Sequence, residues 1–393
     1  MDRRSLTRAI ATAPMALALP RAGAQATPFR IGFLAPMTGP FASTGRQMEA
    51  GTKLYLAQHG NTVAGRKVEL LLKDDAGQPD QSKRLAQEML VNDKVDVLAG
   101  FGLTPLALAV APLATQAKTP MVNMLAATSA VIDASPYMVR VSMTLPQVTI
   151  VVGDWAAKNG IRKAVTLVSD YGPGHDAERA FKERFTLNGG QVLDSLRVPL
   201  RSPDFAPALQ RVRDLSPDAV FVFVPSGTGT QVMKQFNERG LSKAGIKLIG
   251  TGDVVDDDIV NGMGDDALGI VTAYPYSTAH PSAVNKKFVA EFRKVNANLR
   301  PNAVAVFAYD GMHVIYEALR KTGGKGGGDA LLAGMKGQTL ESPRGPIYID
   351  ANTRDIVQSV YIRRVERVPT AGNELYNIEF AEQKDVRDPP RPR

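Results

Sequence analysis

The chain has 393 residues, no cysteine and a formal net charge of +8, from 47 Lys and Arg against 39 Asp and Glu. Its basic residues are scattered, without a dense Lys/Arg block or interleaved aromatic residues, which argues against a nucleic-acid-binding protein. Without cysteine there is neither a disulfide nor an anchor for a lipid, but a chain of this length can bury a large core unaided and fill two domains.

The first 26 residues have the order of a secretory signal peptide. Arg3, Arg4 and Arg8 precede an apolar run of 11 residues at 9–19, and small residues follow at 24–26. A run of this length is too short for a bilayer core, which needs about 20 residues. The pattern predicts cleavage after residue 26 and a periplasmic protein without a lipid anchor, exported by the general or the twin-arginine route.

Short apolar strands then alternate with helical segments. The first unit is predicted to contain strand 29–34, helix 47–58, strand 68–72, helix 81–91, strand 95–99, helix 106–117 and strand 121–124. The second is predicted to contain helix 147–158, strand 164–169, helix 176–187, strand 191–196, helix 205–214, strand 219–224, helix 231–239 and strand 247–249. Strands separated by single helices favour parallel sheets covered on both faces. The sequence therefore predicts an α/β fold with two doubly wound parallel-sheet lobes, at 27–144 and 145–278.

The remaining residues are too few for a third unit. Helices are predicted at 283–295, 304–321 and 329–336, followed by a β-hairpin of strands 346–349 and 358–362. The proline-rich end of the chain predicts a disordered tail over 381–393.

Motifs for catalysis, metals or cofactors are missing from the sequence. The four histidines show no His-x-x-x-His or His-x-His spacing, and there is no Gly-x-Ser-x-Gly motif or phosphate-binding loop. The glycine-containing loop at 39–45 does not have the dinucleotide pattern, because Pro40 stands where a glycine is needed. We therefore expect no enzyme, no metal and no cofactor.

Loops rich in Gly, Ser and Thr follow six of the predicted strands. In an open α/β sheet, ligands bind at the carboxyl ends of strands, where helix N-termini offer N–H groups suited to a carboxylate. The alternative for any single loop is an ordinary turn or helix cap. The loops lie at 37–45, 100–105, 125–129, 169–174, 225–229 and 250–253.

Several segments together resemble the type I periplasmic binding proteins of the branched-chain amino-acid branch. They are IGFLAPMTGP at 31–40, the strand and acidic pair at 68–75 with the helix at 79–91, AVAPLATQAKTPM at 109–121, DYGPG at 170–174 and YDG at 309–311. The resemblance implies the solute-capturing component of an ABC importer, which works with a membrane permease and is expected to be monomeric. It also implies that two lobes, joined by a three-stranded hinge, close on one small ligand. Residues 279–338 would return to the first lobe and 339–380 to the second.

The resemblance also predicts the ligand site. Backbone and hydroxyl groups of the loop at 102–104 would bind a ligand carboxylate, and Ala126 and Thr128 would contact carboxylate and amine. Tyr171 would close over the ligand, and Asp253 would pair with an α-ammonium unless it only caps the following helix. The predicted site comprises Phe41, Thr44, Phe101, Gly102, Leu103, Thr104, Ala126, Ala127, Thr128, Tyr171, Ser226 and Asp253.

Two departures from the family pattern leave the ligand open. Leu103 stands where serine is common, and a Pro-Ser-Gly segment at 225–227 replaces a more aromatic one. Leu103 and Phe101 would suit an aromatic carboxylic acid as well as an aliphatic amino acid. A ligand sensor and an α/β-fold enzyme are the alternatives from other functional classes.

Overall fold

The computed structural model describes residues 27–390, so the predicted signal peptide and residues 391–393 lie outside the described residues. Each of two α/β lobes is built around its own sheet, with six strands in the first lobe and nine in the second. The predicted α/β class and the two parallel-sheet lobes are confirmed.

The first lobe begins with a buried apolar strand, the pattern of a parallel strand covered on both faces. Its sheet has the order β2-β3-β1-β4-β5-β6, and every pairing except β2–β3 is parallel. The strands are β1 (Phe29–Ala35), β2 (Thr62–Val63), β3 (Arg66–Asp74), β4 (Val97–Gly100), β5 (Met121–Asn123) and β6 (Met138–Arg140), and the helices are α1 (Ala42–His59), α2 (Pro79–Val91) and α3 (Thr104–Ala117).

The second lobe repeats this winding. Its parallel strands have the order β8-β7-β9-β10-β11, so the chain again starts in the interior of the sheet and winds outwards in both directions. The helices are α4 (Leu145–Lys158), α5 (Gly172–Leu187), α6 (Ala206–Leu215) and α7 (Gly229–Glu238), and the strands are β7 (Lys163–Ser169), β8 (Gln191–Val198), β9 (Ala219–Phe223), β10 (Lys247–Thr251) and β11 (Val271–Tyr274). Helix α4 starts sharply because Thr144 and Gln147 form a capping box.

The C-terminal part contributes to both lobes. Helix α9 packs against α1 of the first lobe, whereas the last strands extend the second sheet in the order β12-β13-β14-β11, with β15 paired to β14. The predicted hairpin is confirmed as antiparallel β13–β14. The elements are α8 (Ala283–Val295), α9 (Ala303–Lys321), α10 (Gly328–Met335), β12 (Thr339–Ser342), β13 (Gly345–Ile349), β14 (Ile356–Val368) and β15 (Glu374–Val386).

The predicted disordered tail is wrong for its first residues. Strand β15 continues to Val386 and pairs with β14 over that length. Beyond it, the Asp388 carboxylate accepts hydrogen bonds from Ser129 and Thr144 at 2.7 and 2.6 Å. The polar composition of 381–386 reflects an exposed edge strand, in which backbone pairing replaces side-chain burial.

The chain crosses between the lobes three times, at 141–144, 275–282 and 336–338. Arg344, in the turn between β12 and β13, joins the first of these crossings to the first-lobe helix α9. Its guanidinium donates to the carbonyl oxygens of Val141 and Ser142 at 2.5 and 2.9 Å and pairs with Asp310 of α9.

Among residues 27–390, no helix is long and apolar enough to cross a membrane.

Candidate ligand-binding cleft

A cleft lies between the carboxyl ends of the two sheets. It contains about 400 Å³ of space free of protein atoms, including its opening to solvent. Loops after β1, β4, β5 and β6 form one wall, and loops after β7, β9 and β10 form the other. This is the position at which the topology of an open α/β sheet places a ligand.

The structure brings most of the predicted site residues together in this cleft. The residues that line it are Phe41, Thr44, Gly102, Leu103, Thr104, Ala126, Ala127, Tyr171, Ser226 and Asp253. They come from both lobes, so a ligand in the cleft would contact the two lobes at once.

Phe101 and Thr128 do not line the cleft. The Phe101 side chain is completely buried in the apolar core of the first lobe, in a backbone conformation with φ +70° that turns the chain into the loop. The Thr128 hydroxyl donates to the Thr104 hydroxyl at 3.1 Å, and its side chain lies against Gly172 of the second lobe. Thr128 therefore lies where the two lobes touch. The structure gives no support for a contact between the Phe101 ring and an aromatic ligand.

Six further residues line the cleft that are not among the predicted site residues, although Leu125, Pro173 and Pro225 lie in loops that the sequence analysis named. Phe223 is the last residue of β9. It could have been found if the last residues of each strand had been considered together with the loop that follows. Met143 and Leu145 follow β6, a strand of three residues that was not predicted. The six are Leu125, Met143, Leu145, Pro173, Phe223 and Pro225.

The first-lobe wall carries the N-terminus of α3. This helix starts at Thr104 after Leu103, and no side chain caps its first turn. Gly102 lets the loop approach closely, since a Cβ at this position would lie 2.8 Å from Cδ of Pro36. Pro105 has no N–H, and the N–H groups of Leu106 and Ala107 donate to the Leu103 carbonyl, so Thr104 is the residue of the first turn that can offer its N–H and its hydroxyl. Together with the positive end of the helix dipole, these groups favour a carboxylate at this end of the cleft.

The second-lobe wall carries a buried acid. Asp253 is 4% exposed and lies in a single 3₁₀ turn after β10, so it does not cap a longer helix. Its carboxylate accepts hydrogen bonds from the hydroxyls of Ser226, Thr251 and Tyr274 at 3.1, 2.9 and 2.9 Å. Burial raises the pKa of Asp253, and these three hydrogen bonds oppose the shift.

Aromatic and aliphatic side chains form the walls between these two ends. The rings of Tyr171 and Phe223 are stacked in the second lobe, with centroids 6.0 Å apart and planes 14° from parallel. Phe41 and Leu103 lie in the first lobe, and Tyr171 packs against them. The cleft therefore suits a flat or apolar body with polar groups at its ends.

The two lobes touch around this cleft, which is the closed arrangement. The Ser129 backbone N–H donates to the Asp176 carboxylate of α5 at 2.9 Å.

Among the residues described, 27–390, no group of three or more His, Cys, Asp or Glu could hold a metal ion.

Residues 28–373 match the periplasmic binding protein family, which is most of the chain. This chain belongs to that family. The resemblance noted in the sequence is confirmed, and the chain is a solute-binding protein of the ABC-transporter type.

Individual relatives support the family assignment. A Brucella abortus protein named "Leu/Ile/Val-binding protein homolog 6" is 41% identical over 381 residues, covering 96% of this chain and 97% of the relative. A solute-binding protein of an ABC transporter from Rhodopseudomonas palustris BisB5, solved with 3,4-dihydroxybenzoic acid, is 61% identical, with a TM-score of 0.90 and coverage of 92% and 98%. A second R. palustris solute-binding protein, solved with 4-hydroxybenzoate, is 41% identical, with a TM-score of 0.88 and the same coverage.

Proposed function

We propose that this periplasmic binding protein captures a hydroxylated benzoate for an ABC importer. The observation that carries the proposal is the arrangement of the cleft, with a helix N-terminus on one wall, a buried acid on the other, and aromatic side chains between. A hydroxybenzoate has a carboxylate at one end of its ring and a hydroxyl donor at the other. An α-amino acid carries its carboxylate and its ammonium on the same carbon.

Each part of such a ligand has a partner in the cleft. The carboxylate would meet the N–H and the hydroxyl of Thr104 at the start of α3. The ring would lie among Phe41, Leu103 and the Tyr171–Phe223 pair. A ring hydroxyl would donate to Asp253, whose two oxygens together offer about four acceptor sites and receive three hydroxyls from the protein.

The similar proteins favour the same ligand class. The relative of known structure with 61% identity holds 3,4-dihydroxybenzoic acid, and one with 41% identity holds 4-hydroxybenzoate. Both are described as parts of ABC transporters. We therefore propose delivery to a membrane permease of that type, by a protein that residues 1–26 direct to the periplasm.

An aliphatic amino acid is the second candidate. The name of the Brucella relative points to leucine, isoleucine or valine. Asp253 would then pair with the α-ammonium in a charge-assisted hydrogen bond.

Calorimetric titration with 3,4-dihydroxybenzoate, 4-hydroxybenzoate, benzoate and leucine decides between the two. The proposal expects the hydroxybenzoates to bind most tightly. Benzoate should bind more weakly, because it lacks the hydroxyl that would donate to Asp253, and leucine should show no measurable binding. Leucine binding more tightly than any benzoate would overturn it. Recovery of chemically unchanged ligand after prolonged incubation would distinguish capture from turnover.

A further inference from the structure

A loop of the second lobe reaches across the rim of the cleft to the first lobe. The loop at 199–205 joins β8 to α6, and it places Leu200 and Arg201 beside the first lobe. The Arg201 guanidinium donates to the carbonyl oxygen of Gly77 and lies over the Phe41 ring, 5.9 Å from its centroid. We call these interactions of Arg201 with Gly77 and Phe41 the rim contact.

The rim contact lies beside the ligand cavity rather than in it. Phe41 and Tyr171 line the cavity, whereas Leu200 and Arg201 do not. Leu200 packs against the first-lobe cluster of Phe41, Leu103 and Leu106. These interactions join the lobes without needing the ligand, so they contribute to closure on their own.

The acceptor of the rim contact is held rigidly by an acidic pair. The Gly77 backbone N–H donates to the Asp75 carboxylate at 2.9 Å, and the Ser82 hydroxyl donates to the same carboxylate at 2.9 Å. Asp74 accepts from the backbone N–H of Ala76 at 2.8 Å. The N–H of Gln78, in the same peptide unit as the Gly77 carbonyl, donates to the Asp75 carbonyl at 2.8 Å, so the first lobe orients this carbonyl without help from Arg201.

Asp74 also connects this loop to the one that carries Phe41. It accepts hydrogen bonds from the Met37 N–H at 2.8 Å and from the Thr38 hydroxyl at 2.6 Å. Both surfaces that Arg201 touches therefore belong to one rigid unit of the first lobe. The acidic pair at 74–75 thus organises the part of the first lobe that Arg201 contacts.

We propose that Arg201 retains the ligand, by fastening the second lobe to the first through the rim contact and slowing the opening of the cleft. The inference rests on the proposed function, since it supposes a ligand that is released on opening. An interaction made only in the closed form shifts the equilibrium toward that form and lowers the dissociation rate. Association begins in the open form, where the rim contact is absent, and its rate should not depend on Arg201.

The first test measures ligand release. Release of 3,4-dihydroxybenzoate is followed by stopped-flow displacement in the wild type and in Arg201→Ala. We expect dissociation to be roughly 10-fold faster in the variant, the scale of one hydrogen bond with a charged donor, and association to change less than twofold. Arg211→Ala is the matched control, because the Arg211 side chain is also exposed but pairs with Asp194 of its own lobe at 2.8 Å.

The second test needs no ligand. The chain contains no cysteine, so Lys83→Cys on α2 and Asp214→Cys on α6 can carry two spin labels, one in each lobe. Without ligand, Arg201→Ala should reduce the population of short inter-label distances relative to both the wild-type and the Arg211→Ala background.

The outcomes separate this inference from the proposed function. An unchanged dissociation rate overturns the inference, as does slower association with unchanged dissociation, which would mean that Arg201 only attracts the anion. If no benzoate binds to the wild type, the proposed function fails, and the distance measurement alone decides the role of Arg201. Melting temperatures within 1 to 2 °C of the wild type, as expected for an exposed substitution, show that the fold is retained.

Discussion

Asp253 is the residue whose surroundings best distinguish the two ligand classes. Three hydroxyls already donate to its carboxylate, which leaves one acceptor site for a ligand. Since burial raises the pKa of Asp253, an additional donor would favour the ionised form. A ring hydroxyl can supply that donor without adding a charge to the cleft, whereas an ammonium would form an ion pair.

Replacing Asp253 should therefore affect ligands according to their hydroxyl group. We expect Asp253→Asn to weaken binding of 4-hydroxybenzoate by about 2 kcal/mol, because its amide presents fewer acceptor sites and no charge. Benzoate, which lacks the hydroxyl, should bind the variant and the wild type equally. Calorimetry with both ligands measures the difference. Equal losses for the two ligands would mean that Asp253 only organises Ser226, Thr251 and Tyr274.

At the scale of elements, the hinge depends on a fully buried ion pair. Arg344 lies between β12 and β13, and its guanidinium contacts the Asp310 carboxylate at 2.9 Å. Burial raises the pKa of Asp310 to about 6, although the charge of Arg344 and the Ser342 hydroxyl lower it. Arg344 thus compensates for part of the cost of a buried carboxylate, and it also satisfies carbonyl groups of the crossing at 141–144.

Removing Arg344 should destabilise the protein in a manner that depends on pH. We expect Arg344→Met to lower the free energy of unfolding by about 3–5 kcal/mol at pH 8, since Asp310 would be left buried and unpaired. A folded-state pKa above the unfolded value means that the native state binds more protons, so stability falls as pH rises through the folded pKa. In the wild type this fall lies between about pH 4 and 6. In the variant it extends above 6, so the deficit should shrink between pH 8 and pH 5.

Denaturant unfolding at several pH values measures this effect. The double variant Arg344→Met/Asp310→Asn is the matched control, because asparagine does not titrate and the added pH dependence should vanish. Glu366→Gln, which breaks an exposed ion pair with Arg364, should change stability by less than about 1 kcal/mol. A deficit of Arg344→Met that is the same from pH 5 to pH 8 would contradict this account.

The sequence predicts the regular parts of the molecule better than its connections. Buried parallel strands such as β4 and β9 are continuous apolar runs, and Pro or capping residues mark the helix starts, so both kinds of element can be recognised from the local sequence. Strands β2, β6 and β12 have two to four residues and depend on pairing with distant strands. The end of β15 is polar because it lies at a sheet edge. Such elements have no local pattern that separates them from loops.

The same reasoning explains what the sequence could predict of the cleft. Strand-end loops converge in any doubly wound sheet, so residues such as Thr104, Ser226 and Asp253 could be found from topology and family resemblance. The direction of the Phe101 side chain could not, because it depends on a backbone conformation with positive φ. The rim contact could not be predicted either, since it exists only when two lobes approach each other.

At the scale of the whole molecule, two glycines of the second lobe allow the closed form. A Cβ at Gly172 would lie 2.7 Å from Oγ1 of Thr128, and a Cβ at Gly227 would lie 2.6 Å from the hydroxyl oxygen of Ser43. Thr128 and Ser43 belong to the first lobe. Gly227 has φ +88°, so a side chain there would strain the backbone in any form, whereas Gly172 does not have a positive φ. Gly172 is therefore the cleaner position at which to test closure.

A methyl group at Gly172 should oppose closure without blocking the cleft. We expect Gly172→Ala to weaken affinity for 3,4-dihydroxybenzoate by about 10-fold, because a contact under 3.0 Å must be relieved only when the lobes meet. Small-angle scattering at saturating ligand should still give the smaller radius of the closed form. At sub-saturating ligand, the variant should stay open to higher concentrations than the wild type.

The Thr128→Ala background separates steric opposition from backbone strain. Alanine before Pro173 is restricted, but Gly172 belongs to α5, which we expect to move with its lobe as a rigid element, so this strain should affect the open and closed forms equally. Removing the Thr128 hydroxyl and methyl removes the atoms that the new Cβ would meet. In a double-mutant cycle, Gly172→Ala should therefore cost much less affinity in the Thr128→Ala background than in the wild type. If the cost is the same in both backgrounds, Gly172 does not limit closure through Thr128, and the lobes of the ligand-bound protein meet differently there.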